Sequence, residues 1–120
     1  MDFIEFLNES FGLRFEEVSE TGESTFILQD IDNDIWYRFY TVDIYRILGF
    51  LNHITKFPND EINATINESF ELRYYGIKNS EEPAIILKDL DSKEDINFYS
   101  EDVKNIKRFL NRLQTFGVLK

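Results

Sequence analysis

Displaced by 59 residues, this chain aligns with itself. Leu7–Phe57 lies on Ile66–Phe116 without a gap, and 19 of the 51 pairs are identical. Unrelated segments of this composition would share about three to five. LNESFGLRF meets INESFELRY, FILQDID meets IILKDLD, and FYTVDIYRILGFLN meets FYSEDVKNIKRFLN. Conservative pairs such as Phe15/Tyr74, Ile31/Leu90 and Thr41/Ser100 extend the match. A chain built this way has to fold as two equivalent units, and each unit is read twice.

Each copy opens on a short apolar-periodic stretch, Phe3, Ile4, Phe6 and Leu7 in the first and Ile62 and Ile66 in the second, which suggests a brief helix. Phe11, Leu13 and Phe15 then alternate with Gly12, Arg14 and Glu16, the period of a half-buried strand. SETGES and KNSEEP are turn-rich breaks. TFILQDI and AIILKDL read as second strands, and IWYRFY and INFY as third strands after acidic turns. Thr41 and Ser100 sit where an N-cap belongs, with Asp43 and Asp102 favouring the helix dipole in the first turn. Ile44, Ile47, Leu48, Leu51 and Ile54 follow at helical spacing, as do Val103, Ile106, Leu110 and Leu113. The expected fold is therefore α+β: a tandem pseudo-symmetric repeat of an α-β-β-β-α unit, its antiparallel sheets covered by helices. The copies run 1–58 and 59–120, and because a lone sixty-residue copy would be marginal, the second should pack on the first as one compact domain. Double-stranded RNA-binding domains share this element order. They need a basic start to the final helix, whereas that turn here holds Asp43 or Glu101 and Asp102.

Hydrophobic residues at 42% exclude a disordered chain, and the absence of cysteine excludes a disulfide scaffold, a thiolate zinc site and thiol catalysis. MDFIEFLNES has no basic region and no long apolar run, so no signal peptide or membrane span is expected and the default compartment is the cytoplasm. The net charge of −10 disfavours nucleic acid and anionic membrane as ligands. Catalytic motifs are missing. The single histidine, His53, falls near a helix end, the five glycines are scattered, and no nucleophile elbow or His-Glu-x-x-His motif occurs. Asp30, Asp32 and Asp34 resemble the start of an EF-hand loop, but Ile35 replaces its glycine and Thr41 its glutamate, and the second copy places Lys93 at the third ligand. A polar hairpin turn is the better reading. Neither enzyme chemistry nor a metal or cofactor is expected.

What separates the copies is where function should lie. Residues 1–58 carry 11 acids against 4 bases, and residues 59–120 carry 12 against 9. The first copy's acids gather in Glu16, Glu17, Glu20 and Glu23 at one hairpin and in Asp30, Asp32 and Asp34 at the next. Trp36, Tyr45 and Leu48 stand where the second copy has Asp95, Lys104 and Lys107, so all three should lie at or near the surface, where aromatic groups serve as interface anchors. These ten residues form the expected partner-binding set. They suit a small acidic protein that inhibits a larger protein with a basic surface, such as a nuclease or nucleic-acid-handling enzyme, by electrostatic or nucleic-acid mimicry, as in phage anti-defence or toxin immunity. The alternative is a secretion-type chaperone or scaffold holding an extended client peptide, and behind it a small-ligand domain or enzyme. Homodimer formation stays open.

Overall fold

The computed structural model describes residues 3–17, 23–76 and 84–115. The element order is β1 (Phe3–Phe6), β2 (Phe11–Glu17), β3 (Ser24–Asp30), β4 (Ile35–Tyr40), α1 (Thr41–Lys56), β5 (Ile62–Thr65), β6 (Phe70–Tyr74), β7 (Ile85–Asp89), β8 (Asp95–Phe98) and α2 (Ser100–Thr115). The fold is α+β, with two four-stranded antiparallel sheets ordered β1-β2-β3-β4 and β5-β6-β7-β8. None of the helices is long and apolar enough to cross a membrane, among the described residues.

The expected opening helices are strands, so the observed order within each copy is β-β-β-β-α. A side-chain turn overrides the helical reading: the Asn that follows each opener turns the chain back. Asn8 Oδ1 accepts the amides of Ser10 at 2.8 Å and Phe11 at 2.9 Å, and Asn67 Oδ1 accepts those of Ser69 at 2.8 Å and Phe70 at 3.0 Å. This side-chain turn folds β1 onto β2 and β5 onto β6.

The β3–β4 and β7–β8 turns are also built alike. Asp30 Oδ1 accepts the Asn33 amide at 3.2 Å, and Asp89 Oδ1 accepts those of Asp91 and Ser92 at 3.0 and 3.2 Å. Asp34 and Lys93, 59 residues apart, both adopt positive φ, 53° and 63°. At the helix starts, the caps differ from expectation. Asp43 and Asp102 reach back to the amides of Tyr40 and Tyr99 at 3.0 and 3.1 Å, while the Thr41 hydroxyl accepts the Ser24 amide at 3.3 Å.

Strand registers carry the 59-residue offset across both sheets: Phe15↔Phe26↔Phe39 in the first corresponds to Tyr74↔Ile85↔Phe98 in the second. The boundaries of the compact units do not follow the copies, however. One unit joins residues 1–44 to 105–120 and the other spans 45–104. In the first unit the inner face of the sheet sets Phe3, Phe15, Phe26 and Phe39 in one cross-strand row, and Phe26 meets Phe109 of α2 at 5.9 Å. Glu5 on β1 pairs with Arg108 and Arg112 of the same helix at 3.5 and 3.3 Å. In the second unit α1 from Tyr45 onward accompanies the second sheet, and Arg46 donates to the Ile66 carbonyl at 2.7 Å. Tyr74 is buried there and donates its hydroxyl to the Pro58 carbonyl at 2.7 Å, and burial raises its phenol above the ordinary value. Each sheet thus shares its unit with the helix that belongs, in sequence, to the other copy.

Candidate functional site: the outer face of the first sheet

Cross-strand partners share a face of a sheet. On the first sheet, the face opposite the aromatic inner row reads Ile4–Arg14–Ile27–Arg38 and, beside it, Phe6–Gly12–Gln29–Trp36. On the second sheet the same positions read Asn63–Arg73–Ile86–Asn97 and Thr65–Glu71–Lys88–Asp95. The two sheets, alike in strand order and register, therefore carry different outer faces. The polar version is what water-exposed strands ordinarily carry. The other places apolar side chains in solvent: Ile4 is 69% exposed, Phe6 78% and Trp36 37%.

Trp36 stands on the edge strand β4 of this face. The Arg14 guanidinium lies 4.9 Å from its ring centroid and that of Arg38 5.5 Å, both within cation–π range. Glu16 is the one carboxylate that reaches these arginines among the described residues, at 3.5 Å from Arg14 and 3.8 Å from Arg38. Beneath this layer Ile27 is fully buried. Gly12 leaves a low point in the row between Phe6 and Trp36. A Cβ there would meet its nearest neighbours at 3.8 Å or more, so packing does not demand glycine.

The remaining expected site residues are dispersed. Tyr45 on α1 is 43% exposed and belongs to the other unit. Leu48 is corrected: it is 3% exposed and lies in the core. Its charged counterpart Lys107 misled the comparison, because that side chain is itself half-buried and a lysine stem can pack while its ammonium stays wet. Glu17 is half-buried, Glu23, Asp32 and Asp34 are exposed, and Glu20 lies outside the described residues. Asp30 is buried and commits both oxygens to Asn33, Oδ1 to its amide and Oδ2 to its side chain at 2.9 Å. Sequence reasoning missed Ile4, Phe6, Arg14 and Arg38. Ile4 and Phe6 precede Leu7, where the gapless match begins, so comparison of the copies does not reach Asn63 and Thr65.

No group of three or more potential metal ligands converges among the described residues. With the Asp30 carboxylate held in its own turn, the melting temperature is expected to stay unchanged in millimolar calcium or EDTA. A calcium-dependent rise would show that the turn is a cation site. His53 contacts Asp60 at 3.3 Å and Phe57 at a ring distance of 5.0 Å. A shallow cleft between β1 and α2, lined by Phe3, Ile4, Glu5, Phe109, Arg112 and Leu113, holds one carboxylate that is already paired. Compared with protein families, curated proteins and solved structures, the chain has no match.

Proposed function

We propose that this chain is a non-enzymatic binding protein, a tandem pseudo-symmetric repeat whose first copy has been turned into a docking module. The carrying observation is the outer face of the first sheet, where Ile4, Phe6 and Trp36 replace Asn63, Thr65 and Asp95. The second sheet supports the reading as an internal control, since the fold there does without those apolar groups. Solvent-facing aromatic residues of this kind are what binding interfaces use as anchors. The net charge of −10, together with exposed Glu23, Asp32 and Asp34, favours a partner whose wider surface is basic, which such a chain would inhibit by covering it. A second reading, a chaperone or scaffold holding an extended client segment, uses the same face.

The test is a tagged pull-down from native cells at low and high salt, with Trp36→Ala in parallel. One partner retained at low salt, released at high salt and absent from the variant is the expected result. A partner insensitive to salt would remove the basic surface from the proposal, and one insensitive to Trp36→Ala would remove the face.

A further inference from the structure

We infer that the outer face of the first sheet seats an apolar peptide segment of a partner protein, with a carboxylate placed against Arg14 and Arg38. The inference rests on the docking-face reading and names what fits it. Charge on the face decides the class. Two guanidiniums flank Trp36 and share a single carboxylate at 3.5 and 3.8 Å, and Arg14 Nε is buried without a hydrogen-bond acceptor. The face therefore holds two cations to one anion and is short of charged acceptors, on a chain whose overall charge is −10. A guanidinium can donate five hydrogen bonds in a fixed fork that matches a carboxylate.

A second copy of the chain fits this face less well. Pairing two such faces would bring together four arginines and two glutamates, leaving the acceptor deficit where it was. A nucleic-acid strand would supply acceptors and could stack on Trp36, but it would approach a strongly negative chain. A peptide carboxylate brings one or two charges and acts at short range, while its neighbouring apolar side chains cover Ile4 and Phe6 and fill the low point at Gly12. Long-range attraction to a basic partner and local seating of one carboxylate are separate requirements, and one partner can meet both.

The test pans a displayed library of random twelve-residue peptides against the full chain. Two variants carrying the second copy's residues run alongside, Arg38→Asn and the double variant Phe6→Thr with Trp36→Asp. Since the other sheet folds with those residues, both should fold, and a melting curve checks it. Enriched peptides are expected to carry Asp or Glu between apolar residues, to lose affinity about tenfold or more on Arg38→Asn, and to fail on the double variant. Basic peptides, or peptides that bind Arg38→Asn as well as the parent, overturn the carboxylate assignment. Their loss on the double variant would then leave the docking face standing. No enrichment, binding of a thymidine oligonucleotide instead of peptide, or dimerisation that the double variant abolishes would overturn the inference entirely.

Discussion

A single backbone cut between Asp60 and Glu61 is expected to leave the two fragments bound to each other. The cut separates the first sheet and α1 from the second sheet and α2, yet each compact unit draws on both pieces. The fragment ending at residue 60 holds the inner row Phe3, Phe15, Phe26 and Phe39, and the helix that contacts it, through Phe109, lies on the other fragment. Ile106, Phe109, Leu110 and Leu113 are all buried on that helix. At about 1.5–3 kcal/mol for each buried large apolar side chain, their removal would forfeit about 6–12 kcal/mol of gross burial, of the order of a whole domain's net stability. A protease site inserted after Asp60 would fall where Asn59, Asp60 and Glu61 are all exposed. After cleavage the fragments should co-migrate in size-exclusion chromatography and separate in denaturant. Expressed alone, residues 1–60 should be unfolded or self-associated. Two independently folded half-mass species would mean that each helix covers its own copy's sheet.

Much of the fold was legible because the sequence states it twice. The two later helices and the strands at FGLRF, TFILQD and IWYRFY follow from periodicities that recur at the 59-residue offset. The opening strands were misread for a local reason. Phe3, Ile4, Phe6 and Leu7 fit a helical turn and a strand about equally, and in four residues period alone does not choose. The deciding signal was the N-E-S-F tetrapeptide that closes both openers. Its Asn side chain builds a turn, so the residues before it must run back along those after it. The exchange of helices between units had no local signal. A helix with one apolar stripe fits either of two similar sheets, and only long-range packing selects.

The candidate site was half legible. Trp36 stands out because the other copy holds Asp95, while Leu48 is drawn in with it because Lys107 suggests an exposure that the buried leucine does not have. Comparison between copies identifies where side chains differ, and burial depends on how much of each stem is packed. Arg14 escaped for the opposite reason. Arg14 is matched by Arg73, so comparison between the copies does not single it out, yet Arg73 lies over Tyr75 at 4.7 Å while Arg14 lies over Trp36. The same residue on the same strand serves a different neighbourhood.

The sharpest contrast should come from two substitutions on opposite sides of the first sheet, one on α2 and one on β4. Phe109→Ala removes the ring that α2 sets against Phe26 on the inner face and leaves a cavity between helix and sheet. It is expected to cost about 3–5 kcal/mol in urea or guanidinium unfolding. Trp36→Asp takes away a larger side chain but from the outer face, where the second sheet carries Asp95 and the new carboxylate would sit beside Arg14 and Arg38. Lost cation–π contact and partial burial are offset there by charge pairing, so the cost should be about 1 kcal/mol. If the inner aromatic holds the fold and the outer one serves a partner, the two variants separate: the first loses stability, and the second keeps stability and loses binding. Equal destabilisation would instead make the indole part of the packing, and the first copy would then have no outer face adapted for docking.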